Sequence, residues 1–227
     1  MSTKNSKNYS NESVKEYYHS TGLYDSIIYK KNKTNQNLSK EEIIESLLLK
    51  NKKLSNKVTG TNKKIILSNK NYKSKIMVLG DMPSQKDIDN NELFSDDSGE
   101  LLTKMLGAIS IDSSQVYLAN IIPFYLTKEE GKNIKKYNSL LRKIVHEHIS
   151  AINPETILLL GSFALQTLFG EEYSIAKNRG QWLSYSAANN SINIIPSFHP
   201  TFLLKQPSQK KKSWEDLQEL QKKLNNA

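Results

Sequence analysis

Four short apolar runs in the last two thirds of the chain constrain its fold more than any other feature. Each run is too short for a buried helix and ends in Gly, Pro or a polar residue, which is typical of a buried strand. Helical apolar spacing separates the runs at residues 99–109, 138–152 and 162–169, and a further helix is predicted over about 213–224. The strand candidates are KIMVLG, QVYLANII, ETILLLG and INIIPS.

Strands that alternate with helices form parallel sheets with helices on both faces, because each crossover returns the chain across the sheet. We therefore predict an α/β fold over residues 75–227, a three-layer α/β/α sandwich with a central, mainly parallel four-stranded sheet. Ligands of such sheets bind at the carboxyl ends of the strands. Candidate functional residues are therefore expected directly after the four apolar runs.

The first third of the chain differs in charge. Residues 1–75 contain 16 Lys and 6 acidic residues, a net charge of +10, whereas residues 76–227 carry −1. Helical patterns at residues 12–30 and 39–54 are flanked by polar stretches typical of loops or disorder. We predict that residues 1–74 form a basic, partly helical or disordered extension and that deletion to about residue 70 leaves a folded domain. The charge favours a polyanionic partner, although such enrichment is also typical of a merely solvated segment.

The chain of 227 residues contains no cysteine. This excludes disulfides, thiolate zinc sites, cysteine nucleophiles and cysteine-ligated clusters, so no metal and no cofactor are predicted. No apolar run approaches the roughly 20 residues of a membrane span, and the first residues lack a signal-peptide apolar region. The sequence predicts a cytoplasmic, monomeric protein with no membrane partner.

Polar and aromatic residues follow each predicted strand. Taken alone, each is more often structural, as an Asx turn, a core aromatic, a strand cap or a loop histidine. Their common placement at one rim of the sheet predicts a site that combines an acid, an aromatic ring, a carboxamide and an imidazole. In strand order the residues are Gly80 to Ser84 with Asp87 and Phe94 beyond, then Asn120, then Gly161 and Ser162, then His199.

These segments together resemble the family-four uracil-DNA glycosylases, the iron–sulfur type. The family's G-E-x-P-G resembles residues 80–84, and its P-F-V-G-R-A-G-Q-L-L resembles residues 93–102. Its strand that ends in asparagine, its P-x-x-I-x-x-L-G strand and its R-G-x-W turn resemble residues 116–120, 154–161 and 179–182. The most specific match is H-P-x-Y-L-L-R-x-P with a following W-x-D-L helix, which resembles residues 199–207 and 214–217.

The resemblance implies a DNA repair glycosylase that flips uracil out of DNA and hydrolyses its N-glycosidic bond. It implies that Phe94 stacks on the base, Asn120 reads its polar edge and His199 donates a hydrogen bond to O2. Asp81 and Asp87 are equal candidates for holding the water and stabilising the cationic sugar. Other base-pocket candidates are Gly80, Met82, Pro83 and Ser84, and DNA-contact candidates are Gly161, Ser162, Pro200, Thr201, Leu203, Leu204 and Lys205.

The sequence departs from the family at three places. The cluster cysteines are absent, with Phe124 and Leu141 where two of them are expected. Asp81 replaces a Glu, and Ser84 replaces a Gly close to where the superfamily excludes the methyl group of thymine. Two alternatives therefore stay open: a glycosylase for another deaminated base, hypoxanthine or xanthine, and a catalytically weak relative that binds DNA or uracil. A general nucleotide-binding domain is disfavoured because neither G-x-G-x-x-G nor G-x-x-x-x-G-K-[ST] occurs.

Overall fold

The computed structural model describes residues 39–187 and 190–226, and a five-stranded sheet runs through this part of the chain. The strand order is β2-β1-β3-β5-β4, with β4 antiparallel to β5 and the other neighbours parallel. The carboxyl ends of β1, β2, β3 and β5 therefore share one rim. The strands are β1 (Ile76–Gly80), β2 (Tyr117–Asn120), β3 (Thr156–Leu160), β4 (Leu183–Ala187) and β5 (Asn190–Ser197).

Helices cover both faces of this sheet. Short 3₁₀ turns at Ser113–Gln115, Ile134–Tyr137 and Pro207–Gln209 join some of them. None of the described helices combines the length and apolar character needed to cross a membrane. The helices are α1 (Lys40–Thr59), α2 (Gln85–Asn90), α3 (Asp97–Ala108), α4 (Lys128–Gly131), α5 (Asn138–Ile152), α6 (Ser162–Phe169), α7 (Ile175–Asn178), α8 (Pro200–Lys205) and α9 (Lys210–Asn225).

Alternate residues of the central strands face opposite helical layers. Met77 and Leu79 of β1 belong to an apolar cluster with α1, α5 and α6, whereas Val78 belongs to a second cluster with α3, α8 and α9. Each large aliphatic side chain buried in this way contributes about 1.5–3 kcal/mol. The predicted three-layer α/β/α sandwich is confirmed.

The predicted number of strands was wrong by one. Leu183–Ala187 pairs with β5 as an antiparallel edge strand, so the sheet has five strands rather than four. Its sequence, LSYSA, lacks a continuous apolar run, because of these five residues only Ala187 is buried. A half-exposed edge strand needs no such run, since only one of its faces packs on the core.

The helix predicted at residues 39–54 is part of the folded domain. In α1, Leu47 and Leu54 are buried in the cluster that also contains α5. The segment after α1 covers the edge of β2: the backbone N–H of Asn69 donates to the carbonyl of Leu118 at 3.2 Å, and the Asn69 side chain accepts from Leu118 N at 3.0 Å. Covering an edge strand in this way prevents its pairing with another chain.

The helix predicted at residues 12–30 lies outside the described residues. The boundary between an extension of residues 1–74 and a domain of residues 75–227 therefore stays a prediction. The burial of α1 argues against that boundary and favours a folded unit that begins near Lys40.

Candidate active site

Three predicted site residues meet at Gly80, the last residue of β1. Gly80 pairs with Asn120 across the sheet. A Cβ atom placed on Gly80 would lie 2.5 Å from Oδ1 of Asn120, 2.9 Å from Cζ of Phe94 and 3.5 Å from Nε2 of His199. A glycine is therefore required here, because any larger residue would fill the space that these three side chains surround.

His199 presents a hydrogen-bond donor to this space. It caps α8, and its Nδ1 accepts from the backbone N–H of Thr201 at 3.2 Å. The proton of the neutral ring is therefore on Nε2, which is buried and has no partner among the described residues. Burial lowers the pKa of His199 to about 4, although the nearby Asp96 and Asp87 carboxylates oppose this shift. The ring is thus a neutral donor at physiological pH.

Asn120 supplies the complementary acceptor. It ends β2, is 2% exposed, and its Oδ1 is buried without a partner in the described part of the chain. Buried polar atoms are nearly always hydrogen-bonded, since an unpaired one costs about 1–3 kcal/mol. Two such atoms that border the same space indicate a binding site for a molecule with polar edges.

Phe94 forms the third wall, and its backbone is held in an unusual conformation. Its φ is +56°, in the left-handed region that non-glycine residues rarely adopt. The turn is tight because a Cβ on Gly99 would lie only 1.6 Å from the Phe94 carbonyl oxygen. The Phe94 ring lies 6.2 Å from the His199 ring at an interplanar angle of 27°. Strain of this kind is characteristic of functional sites.

Asp81 lies next to this space, at the N-terminus of α6. Its Oδ1 accepts from the backbone N–H of Ala164 at 3.0 Å, and a Cβ on Gly161 would lie 2.9 Å from Oδ2. Gly161, with φ at +96°, therefore allows the carboxylate to approach the helix. Burial raises the pKa of Asp81 to about 7, and the hydrogen bond from Ala164 opposes the shift. A carboxylate with such a pKa is suited to proton transfer near neutral pH.

Asp87 has a different environment. It is 4% exposed, and its Oδ2 accepts from the backbone N–H of Ser84 at 2.9 Å. Its Oδ1 accepts from the backbone N–H of Ser95 at 2.7 Å and from the Ser95 hydroxyl at 3.0 Å. The Ser84 hydroxyl in turn accepts from Asp87 N, which completes a capping box at the start of α2. Both carboxylate oxygens thus fasten the loop that carries Phe94.

The candidates for DNA contact, and Met82 and Pro83 among the base-pocket candidates, divide between core and surface. Leu203 is 1% exposed and packs in the core, whereas Leu204 is 42% and Met82 41% exposed. Pro83, Pro200 and Gly161 are buried, and Ser162, Thr201 and Lys205 are exposed. The Asp81 carboxylate already accepts from the N-terminus of α6, where the DNA-contact candidates Gly161 and Ser162 lie.

A buried charge network behind His199 was not anticipated from the sequence. Asp216, 1% exposed, accepts from Arg179 Nε at 3.1 Å and from the Ser197 hydroxyl at 2.7 Å. Arg179 also lies over the Phe198 ring at 5.7 Å. Burial raises the pKa of Asp216 to about 6, against the opposing effects of Ser197 and Arg179. The network joins the R-G-x-W turn to the W-x-D-L helix and fixes the end of β5, two residues before His199.

The residues of this chain do not fit an iron–sulfur cluster. The sequence has no cysteine, and Phe124 and Leu141 are both fully buried in the apolar cluster that contains α1 and α5. Among the described residues, no group of three or more acidic or histidine side chains is arranged to hold a metal ion.

The fold and the site define a class of protein: a mainly parallel α/β domain in which an acceptor, a donor and an aromatic ring meet at the carboxyl rim of the sheet. A sequence model of the Uracil DNA glycosylase superfamily matches residues 68–218. The chain therefore belongs to the uracil DNA glycosylase superfamily, and this family places it among the DNA glycosylases, which are hydrolases of DNA repair.

Curated relatives agree with this family. The chain is 28% identical over 149 residues to the type-4 uracil-DNA glycosylase of Thermotoga maritima, covering 63% of this chain and 73% of the relative. It is 26% identical over 141 residues to that of Archaeoglobus fulgidus, covering 60% and 70%. It is 26% identical over 163 residues to that of Saccharolobus solfataricus, covering 68% and 73%.

Proposed function

We propose that this protein removes uracil from DNA by hydrolysing the N-glycosidic bond of a nucleotide flipped out of the helix. The observation that carries the proposal is the pair of unpartnered buried atoms, Asn120 Oδ1 and His199 Nε2, which both border the space above Gly80. An acceptor and a donor placed in this way match the N3–H and O2 of uracil.

Base selectivity follows from the acceptor. Asn120 Oδ1 accepts from N3–H of uracil, and the amide nitrogen of the same side chain donates to O4. Cytosine carries a bare N3 and an amine at these positions, so it would oppose acceptor to acceptor and donor to donor. A site built to hydrogen-bond one base rejects the other because its buried polar groups are left unpaired. Phe94 stacks on the base and completes recognition.

Bond cleavage leaves negative charge on the departing base and positive charge on the sugar, as in other glycoside hydrolyses. His199 stabilises the developing oxyanion at O2 through its Nε2–H. The ring is neutral and held in place by Thr201, so it acts as a preorganised donor without transferring its proton. Such a donor contributes about 10²–10³-fold to the rate.

Asp81 is the proposed group that holds the attacking water and stabilises the cationic sugar. Of the two acidic candidates, it keeps Oδ2 without a hydrogen bond in the described residues, whereas Asp87 uses both oxygens to fasten the Phe94 loop. Asp87 is therefore proposed as a positioning residue. Leu204, which is exposed, is the proposed wedge for the space that the flipped base leaves, with Lys205 on a phosphate.

Base release from defined oligonucleotides tests this function. Oligonucleotides with a single uracil, hypoxanthine or xanthine are incubated with the protein, and abasic sites are then cleaved with alkali. Cleavage only at uracil, faster opposite G than opposite A because the mismatch opens at lower cost, is the expected result. Cleavage only at a purine would assign the site to another deaminated base, and binding without cleavage would indicate a catalytically weak relative.

A further inference from the structure

A concave surface adjoins α8, the helix that His199 caps. It is a groove of about 210 Å³ between α3, α8 and α9, with an apolar floor. Typical small-molecule pockets measure about 300–1,000 Å³, so this groove has room for one flat group rather than for a whole cofactor. The groove residues include Leu101, Lys104, Met105, Leu203, Lys210 and Trp214.

Trp214 gives the groove an aromatic wall. Its side chain is 39% exposed, although it begins the W-x-D-L segment whose Asp216 and Leu217 are each 1% exposed. Lys210 precedes it by one helical turn on α9, and Lys104 reaches the groove from α3. An accessible indole beside two lysines is the combination found where proteins stack single-stranded bases and bind their phosphates.

The surroundings of the groove are positively charged. The acids that α9 carries nearby are engaged elsewhere: Glu215 pairs with Arg179 and Glu219 pairs with Lys222. Lys104 and Lys210 line the groove, and Lys205, Lys211 and Lys212 are neighbouring residues of α8 and α9. All five are exposed, and no ion pair with a described carboxylate holds any of them.

We propose that the groove binds one unpaired nucleobase of the DNA strand whose flipped nucleotide occupies the site at His199, with the lysines on the neighbouring phosphates. The inference rests on the proposed function, because it takes the strand to be DNA. The six residues of α8 span about 9 Å at 1.5 Å per residue. The bound base therefore lies within a few nucleotides of the flipped one along the strand.

A polyanion fits this surface better than an apolar peptide does. A peptide docked in the groove would leave the lysines around it without partners, whereas each phosphate of a strand neutralises one of them and releases a counterion. The groove is also continuous with α8, which carries the exposed Leu204 and Lys205. Stacking on Trp214 is tolerant of sequence, so no particular base is required.

Trp214 fluorescence provides a direct test. The chain has two tryptophans, so Trp182→Phe in the full-length protein leaves Trp214 as the single reporter. Titration with uracil-free oligothymidylate of about 15 nucleotides is expected to quench this fluorescence saturably. Lys104→Gln and Lys210→Gln should each weaken binding about 3–10-fold and reduce the log–log salt slope by about 0.7. Lys52→Gln, an exposed lysine of α1 in the opposite helical layer, is the matched control and should change neither.

The outcomes separate the groove from the catalytic site, because oligothymidylate contains no uracil. Quenching without uracil release from substrate DNA would overturn the proposed function and retain the groove as a DNA site. Uracil release without quenching would overturn the proposed DNA-binding role of the groove. Quenching that Lys104→Gln and Lys210→Gln leave unchanged would also overturn it. Quenching by polyglutamate but not by DNA would assign the groove to a protein and also overturn the proposal. If Trp182→Phe fails to fold, binding of a labelled oligothymidylate to Trp214→Leu is measured by fluorescence anisotropy instead. Weaker binding than that of the unmodified protein is expected, and unchanged binding would contradict the inference.

Discussion

Asn120 Oδ1 and His199 Nε2 lie 2.5 and 3.5 Å from the point where a Cβ of residue 80 would stand, and neither atom has a hydrogen-bond partner in the described chain. Strand pairing brings Asn120 to Gly80, and the turn after β5 brings His199 to the same point. The two atoms are therefore preorganised. Because each lacks a hydrogen-bond partner, each lowers the stability of the protein without ligand, and a bound base would remove this cost.

Gly80→Ala is expected to slow base release at least about 10²-fold. The reason is that its methyl group would lie within 3 Å of Asn120 Oδ1 and Phe94 Cζ. Overpacking of this kind costs about 1–3 kcal/mol, so the variant should still fold. Single-turnover uracil release and a thermal melt measure the two effects.

Gly107→Ala is the matched control for this substitution. Gly107 is exposed on α3, and a methyl group placed on it would have no neighbouring atom within 4 Å, so activity should be unchanged. Because alanine is the better helix former, the control should be more stable by about 0.5–1 kcal/mol. A Gly80→Ala protein that releases uracil at the rate of Gly107→Ala would show that the space above Gly80 does not bind the base.

His199→Ala and Asn120→Ala are each expected to slow base release by about 10²–10³-fold while leaving DNA binding nearly intact. Asn120→Ala removes an unpartnered buried polar atom and should not lower the melting temperature as a core truncation would. His199→Ala also removes the cap of α8, so it should cost about 0.5–2 kcal/mol of stability. A rate equal to that of the unmodified protein would remove the altered residue from the pocket.

Asp81→Asn is expected to abolish the pH dependence of base release. The pKa of Asp81 is about 7 and the water-holding form is the carboxylate, so the rate of the unmodified protein should rise with pH and level off above pH 7. His199, with a pKa of about 4, remains neutral over this range and adds no second limb. A pH profile that is flat from pH 5 to 8 in the unmodified protein would exclude Asp81 from this role.

The same variant should be more stable than the unmodified protein, and more so at high pH. The folded-state pKa of Asp81 is raised above its ordinary value near 3.8, so the stability it contributes is present below pH 4 and is lost as pH rises through 7. Asparagine has no charge to bury and still accepts from Ala164. The gain in melting temperature, about 2–4 °C for each kcal/mol recovered, should therefore be larger at pH 8 than at pH 5.

The fold was predictable from the sequence where burial is continuous along an element. Apolar periodicity predicted helices at residues 138–152 and 162–169, and α5 and α6 have the same bounds. It did not predict β4, because an edge strand with one exposed face resembles a polar loop in sequence. It also did not predict that α1 packs on α5, since a lysine-rich helix within a strongly basic segment resembles an appendage until its partner is known.

For the site, topology predicted which residues share the rim but not where their side chains point. Asp81 and Asp87 were equivalent in sequence, and only the hydrogen bonds of the folded loop separate them. The Arg179–Asp216 pair joins residues 37 positions apart, a contact that no local pattern indicates. The signal available in the sequence was the opposite charge of Arg179 in the R-G-x-W motif and Asp216 in the W-x-D-L motif, two motifs without another explanation.

Uracil release is expected to survive EDTA and to need no added iron. The chain has no thiolate to hold a cluster. Phe124, at a position where the resemblance predicts a cluster cysteine, is fully buried in the apolar core. Phe124→Ala should instead destabilise the fold by about 3–5 kcal/mol. Base-release assays after chelation and denaturant melts measure the two effects; activity that disappears with EDTA and returns with a metal would refute the proposed mechanism.

Truncation of the N-terminal segment should separate DNA affinity from stability. Residues 1–39 contain 6 Lys and 3 acidic residues, a net charge of +3, and precede the buried helix α1. Their deletion is expected to leave the melting temperature unchanged and to weaken DNA binding, with a smaller salt slope because fewer phosphates are neutralised.

Deletion of residues 1–70 should have a different result. It removes Leu47 and Leu54 from the core together with the segment that covers β2, so the burial of at least two leucines, about 1.5–3 kcal/mol each, is lost. The sequence alone predicted a folded, active domain after this deletion, and the structure changes that expectation to a destabilised or unfolded one. Circular dichroism melts and salt titrations of both truncated proteins decide between them. An unaltered melting transition after deletion to residue 70 would show that α1 is dispensable, and an unaltered salt slope after deletion to residue 39 would show that the first segment does not meet DNA.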